Sequence, residues 1–309
     1  MIRGSGRVVV VGINVLDMKS FVKRIPVVGE TCLSTKFEED FGGKGANQAY
    51  QASLLLKESG CPVSFVSKIG NDARGHTMVS HMQKAGVNMD HVSIMEDIYS
   101  GCSSLLVDEE GQNVIVVSAG ANAYLDESDI LKAKDVITDS SVILGQLEAP
   151  LEATVAAFEL ASAQDKKTLK ILNTAPIPSK LSADFYRLLD LAHIICPNEI
   201  EAEQLTGHSD PTQAADTLLE ECPNCDAVVV TLGKDGALLA KRNFKTKIAG
   251  VDGIVAKDTV GAGDSFMGAL GASLALGDTL LEAVEKANRV AAFSVSNYGT
   301  QSSYQSTFI

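Results

Sequence analysis

No segment of the chain approaches the roughly 18 unbroken apolar residues of a membrane-spanning helix, although 45% of its 309 residues are hydrophobic. That excludes a transmembrane helix, and the chain reads as soluble. Basic residues are in deficit too, with 26 Lys and Arg against 39 Asp and Glu and a formal net charge of −13. A nucleic-acid surface needs clustered positive charge to neutralise phosphates, so that class is excluded. An anionic small substrate remains compatible through local groups. Cysteine is sparse and unpatterned: Cys32, Cys61, Cys102, Cys196, Cys222 and Cys225 form no disulfide framework. Such usage indicates a reducing compartment, and we place the chain in the cytoplasm. Cys222 and Cys225 form a C-x-x-C without a second pair or a His pair, so it reads as incidental rather than as a metal or redox site.

What is present is a repeated alternation. The runs VVVVGI, VSFVSKIG, SVILGQL, TLKILNT, AHIICPN and AVVVTLG read as buried strands, most of them followed by ten or more residues of helical periodicity. The first follows basic residues like a short signal peptide, but Asn14 and Asp17 interrupt it and no small-residue cleavage site follows, so it is read as a strand. The alternation specifies an α/β fold, a doubly wound, mostly parallel sheet flanked by helices. Residues 100–118 read instead as two strands around a Gly-containing turn, and residues 15–37 lack a long helical pattern. These segments are expected to form a small antiparallel β-sheet lid, spanning about 15–40 and 98–118, on a single domain of residues 1–309.

Ligands of doubly wound sheets bind beyond the carboxyl ends of the strands. In FGGKGANQA, glycines let the backbone approach a ligand while Lys44 and Asn47 offer donors, although a glycine-rich loop without a ligand fits the same letters. QLEAP places Glu148 just after a strand, where a solvated loop acid is the plain alternative. In CPNEIEAEQLTG, Asn198 and Glu201 share one face of a first helical turn, suited either to ordinary capping or to holding a hydrated Mg²⁺ beside phosphates. TLGKDG, Thr231 to Gly236, is either a nucleotide contact or a plain hairpin turn. In DTVGAGDSF the glycines expose backbone N–H groups at a helix start, an anion hole, with Asp264 beside it to accept a proton from an attacking hydroxyl. Asp264 as a simple N-cap fits the local pattern equally.

Taken together and in this order, GGKGANQA, PNEIEAE and DTVGAGDSF, with QLEAP, VVTLGKDGA and the ending GTQSS, resemble the ribokinase branch of the PfkB carbohydrate kinase family over nearly the whole chain, Val8 to Ser303. The resemblance implies transfer of the ATP γ-phosphate to the 5-hydroxyl of D-ribose and a β-sheet lid that serves as a homodimer clasp. It makes Asp264 the catalytic base, in contact with the sugar, and Gly261, Ala262 and Gly263 the anion hole. It assigns Asp17, Gly42, Gly43, Lys44, Asn47 and Glu148 to the sugar. ATP and its Mg²⁺ fall to Asn198, Glu201, Thr231, Gly233, Gly236 and Asn288, with Glu201 reaching the metal through water. An activating K⁺ falls to Asp258, Val260, Ser294, Asn297, Gly299 and Ser303. One place departs: the family pattern G-S-I-N-x-D reads GINVLD here, so with Asp17 in register Val15 fills the sugar-binding Asn position. A one-residue slip turns a strand side chain to the other face, so Asn14 is not expected to substitute as a ligand unless a bulge intervenes. A kinase of another small sugar or nucleoside, or a non-catalytic regulator on the same fold, are the rival readings. The intact Asp264 weighs against the second.

Overall fold

A computed structural model describes residues 6–163 and 168–308. In chain order the strands and helices are β1 (Val8–Val11), β2 (Val15–Phe21), β3 (Lys36–Gly42), α1 (Lys44–Leu56), β4 (Val63–Gly70), α2 (Ala73–Lys84), β5 (Val92–Met95), β6 (Cys102–Val107) and β7 (Asn113–Ser118). There follow α3 (Glu127–Lys132), α4 (Lys134–Thr138), β8 (Val142–Gly145), α5 (Leu151–Ser162), β9 (Leu169–Asn173), α6 (Ala183–Leu191), β10 (Ile194–Cys196), α7 (Glu199–Thr206) and α8 (Pro211–Glu221). The chain ends with β11 (Ala227–Thr231), β12 (Ala237–Lys241), β13 (Phe244–Ile248), α9 (Ala262–Ala275) and α10 (Leu280–Ser294).

Among the described residues, nine strands form one sheet in the order β13-β12-β11-β10-β9-β8-β1-β4-β5, parallel except at β11-β12-β13. The strand β1 shows why its sequence is four valines in a row. Val9 and Val11 face one apolar cluster, with Phe158, Phe185 and Leu218, while Val8 and Val10 face a second, with Phe65, Phe266 and Val284. Successive strand side chains point to opposite faces, so a strand covered by helices on both sides carries a continuous apolar run. The six expected strands all lie in this sheet; β5, β12 and β13 are additions to it.

The smaller sheet has the order β3-β2-β6-β7, built from the two segments expected to form the lid. Its outer pairs are antiparallel, but the central pair β2-β6 is parallel, Asp17 lying opposite Ser103. Its edge strand β7 leaves Val114, Ile115, Val116 and Val117 all exposed. Beneath the lid, α1 and α9 pack closely because Gly268 leaves room: a Cβ there would come within 2.6 Å of the Gln48 carbonyl oxygen on α1. That approach sets the distance between the two helix starts, where the glycine motifs lie.

Candidate active site

Asp264 is the third residue of α9, whose N-cap is Gly261 at φ 76°, with no side-chain cap. It is therefore not a capping residue. Its carboxylate leaves the helix and meets α1 instead. Oδ2 accepts from Asn47 Nδ2 at 2.9 Å and Oδ1 from Gln48 Nε2 at 3.1 Å, with Asp264 only 5% exposed. The first helical bond of α9 runs from Ser265 N to Gly261 O at 2.8 Å, leaving the amides ahead of it as the orphan donors of the helix start. Of these, Ala262 N turns back to Thr259 O at 3.3 Å. A Cβ on Gly263 would meet nothing within 4 Å. The left-handed Gly261 is braced from the C-terminal segment, where the Tyr304 hydroxyl donates to its carbonyl at 2.8 Å.

Two cavities meet at Gly263. The smaller, about 230 Å³, is polar and is walled by Lys44, Asn198, Glu201, Thr231, Gly261 and Asp264. The larger, about 350 Å³, is walled mainly by apolar side chains, Val251, Ile254, Phe266 and Val295, together with Gly233, Gly236 and Asn288. The turn holding Gly233 and Gly236 is also a hairpin turn, closed by Leu232 N to Gly236 O at 2.8 Å, so both readings of TLGKDG describe it. Asn288, on α10, ties down the cavity wall by donating to Ala249 O at 2.8 Å. A shape of this kind fits a flat apolar group in the larger space and a charged chain in the smaller.

On the lid side, the Lys44 backbone amide donates to Glu148 Oε2 at 2.8 Å. The Asp264 carboxylate holds the Lys44 ammonium above the usual lysine range, against the desolvation of burial and with help from Glu148 and Glu201. Burial pushes Glu148 up despite Lys44, and Asp264 and Asp17 add to the rise. Asp17 is raised as well, again chiefly by burial, while Ser103 donates to it from β6. Gly42 has no side chain because Asp17 occupies the space a Cβ would need, and Gly43, at φ 89°, lies against Ile13 O. Three acids and one lysine thus converge at the mouth of α1.

Asn198 and Glu201 form a capping box: Asn198 Oδ1 accepts from Glu201 N at 2.8 Å and Glu201 Oε2 accepts from Asn198 N at 3.0 Å. Thr174 Oγ1 also donates to Glu201 Oε2, at 2.9 Å. The cap and the cavity wall are the same residues, so these two readings do not compete. Asp258 bridges two loops, accepting from Val260 N and from Gly299 N, both at 3.0 Å. Val295 O accepts from Asp258 N at 3.2 Å, which brings the end of α10 alongside. In that C-terminal stretch Ser294 Oγ donates to Ala291 O, Ser303 Oγ to Thr300 O and Asn297 Nδ2 to Phe293 O.

Val15 begins β2 and is packed into the apolar core with Ile13 and Leu147. Asn14 precedes the strand, so the alternation of strand faces does not govern it. Its backbone is clasped by Asn122, which accepts from Asn14 N at 3.1 Å and donates to Asn14 O at 2.9 Å. The buried Nδ2 of Asn14 has no hydrogen-bond partner among the described residues. Gln48, Gln146, Gln301 and His81 were not singled out from sequence, yet all four join the hydrogen-bond network that ends on Asp264. Gln48, Gln146 and Gln301 lie inside GGKGANQA, QLEAP and GTQSS, whereas His81 carries no local signal.

Cys222 and Cys225 are buried, and desolvation pushes their thiols up to about 11 and about 12. They are not poised thiolates. Among the described residues no group of three or more His, Cys, Asp or Glu could hold a metal ion, and no helix is long and apolar enough to cross a membrane.

The family model for pfkB family carbohydrate kinases matches residues 5–307. A ribokinase from Mus musculus is 41% identical over 305 residues, covering 96% of this chain and 91% of that protein. The crystal structure of a ribokinase from Thermotoga maritima superposes with a TM-score of 0.85 at 31% identity, covering 96% of this chain and 95% of that one. The structure of an Arabidopsis thaliana ribokinase complexed with ribose and ATP gives a TM-score of 0.86 at 25% identity, covering 96% and 95% of the two chains.

Proposed function

Because the chain belongs to the pfkB family of carbohydrate kinases, we propose that it is a ribokinase, an ATP-dependent sugar kinase that phosphorylates D-ribose at its 5-hydroxyl. One observation carries the reading: Asp264, buried and held by two side-chain amides, stands at the start of α9 where the polar cavity meets the acid cluster of α1 and the lid. A kinase needs a carboxylate at the junction of its two substrates, and a binding module does not.

Asp264 takes the proton from the attacking hydroxyl as its oxygen bonds to the γ-phosphorus and the bond to the ADP oxygen breaks. The amides at the α9 start, Gly261 to Gly263, and the charged Lys44 stabilise the negative charge on the transferring oxygens. Asp17, Gly42, Gly43, Lys44, Asn47 and Glu148 hold the sugar on the lid side. Asn198, Glu201, Thr231, Gly233, Gly236 and Asn288 hold the nucleotide, its base in the apolar cavity.

Magnesium neutralises phosphate charge when bound with ATP. Glu201 is a single buried carboxylate already gripped by Asn198 and Thr174, which suits contact through water rather than a protein cage. An activating potassium ion would be held by Asp258 with oxygens of Val260, Ser294, Asn297, Gly299 and Ser303, a hard oxygen set. The chain acts in the cytoplasm as one domain with its lid, and as a homodimer through the lid, a reading supported by the exposed Val114 to Val117 edge.

Buried Val15 at the usual polar position favours one second reading, a kinase of another small sugar or nucleoside. ADP release measured across pentoses, hexoses and nucleosides separates the two. Ribose is expected to give the highest kcat/KM, and equal values for ribose and fructose would overturn the assignment.

A further inference from the structure

One branch of the network on Asp264 runs away from the substrates. Asn47 Oδ1 accepts from Gln301 Nε2 at 3.0 Å, and Gln301 Oε1 lies 2.8 Å from His81 Nε2. Asn47 and Gln301 are only 5% and 3% exposed. The direction of every bond in this branch follows from its anchor. Asn47 presents Nδ2 to Asp264 Oδ2, which leaves its Oδ1 to accept. Gln301 must then donate through Nε2, its Oε1 must accept, and His81 must supply the N–H. The imidazole is held for this by stacking on two rings, Phe41 of the lid strand β3 at 3.7 Å and Tyr50 of α1 at 5.0 Å, with interplanar angles of 9° and 3°.

We propose that His81 is a positioning residue for phosphoryl transfer: as the Nε2–H tautomer it sets the orientation of Gln301, and through it of Asn47, so that Asp264 is aimed at the sugar hydroxyl. Burial lowers the pKa of His81, only partly offset by its bond to Gln301, so the neutral ring is the donor at physiological pH. The second branch does not lead to the lid. Gln146 Nε2 donates to Gln48 Oε1 at 2.8 Å, and both glutamines are fully buried. The His81 branch therefore couples the base to a lid strand, since Phe41 precedes the Gly42–Gly43 turn beside the sugar site.

The proposal rests on the kinase reading, and its test separates the two. His81→Phe keeps an aromatic ring between Phe41 and Tyr50 but removes the donor, whereas His81→Gln keeps an N–H able to reach Gln301. In His81→Phe, kcat is expected to fall on the order of tenfold while KM for ribose and for ATP moves less than about threefold, as for an interaction made in the transition state. His81→Gln is expected to recover about half or more of the lost kcat. In the wild-type chain, nitrogen chemical shifts of the His81 ring should report the Nε2–H tautomer. Wild-type kcat in His81→Phe, equal impairment in both variants, or an Nδ1–H ring in the wild type would each overturn the relay. If the wild-type chain released no ADP with any sugar, the ribokinase reading would fall, and the ring tautomer would still decide whether the relay exists.

Discussion

Asn47 Nδ2 lies 2.9 Å from Asp264 Oδ2, joining the helix after the GGKG loop to the helix of the GAGD loop across 217 positions of sequence. The bond does two things at once. It fixes the rotamer of the proposed base, and it places that base between the loop proposed to hold the sugar and the loop proposed to hold the phosphate. Asp264→Asn is therefore expected to retain binding of ribose and ATP by calorimetry while turnover falls by about 10² to 10⁴. Near-normal turnover would remove Asp264 from the mechanism.

Asp258 links Val260, two residues before Ala262, to Gly299 in the C-terminal stretch. Filling the proposed potassium site should order the α9 start and raise kcat. Turnover is expected to be higher in potassium than in sodium or tetramethylammonium at fixed ionic strength, and the difference should vanish in Asp258→Ala. Equal turnover of the wild-type enzyme in all three salts would reject the site.

Asn14 Nδ2 is a buried donor without a partner among the described residues, and the Asn14 backbone lies close to Gly43. Such a group costs about 1–3 kcal/mol unless something accepts from it, and a sugar hydroxyl would. Asn14→Ala should raise KM for ribose severalfold with little change for ATP. The complementary change, Val15→Asn, puts a polar group into the apolar core and is expected to lower Tm rather than tighten ribose binding. Thermal melts and ribose titrations of both variants check this.

Away from the site, Asp129 accepts from Lys68 Nζ and Ser93 Oγ, both at 2.7 Å, and from Lys132 Nζ at 3.1 Å. Burial alone would raise its pKa, but these bonds pull it down to about 2. Because the folded value lies below the unfolded one, the stabilisation is complete above about pH 4 and is lost as pH falls from there toward 2. Asp129→Asn should cost about 2 kcal/mol at pH 7 and progressively less toward pH 3, measured by denaturant unfolding. A penalty independent of pH would mean that the pair does not titrate with folding.

The parallel core was legible because burial on both faces writes itself as unbroken runs such as VVVV and AVVV, which no other element needs. The edge strand β13, reading FKTKI, is not legible, because a strand at a sheet's margin carries polar residues as loops do. The two glycine loops, and Asp264 after the second, were also legible, since close backbone approach to an anion demands small residues within a few positions of one another. Whether Asp264 capped a helix or faced a cavity was not, because both uses require the same letters. Folding chose between them by seating α9 on α1 through Gly268. The same holds for His81, Gln146 and Gln301, whose hydrogen bonds join elements far apart in the chain. A lone polar residue has no periodicity to betray its partner. Only the packing that excludes water from around it determines whether it must find one.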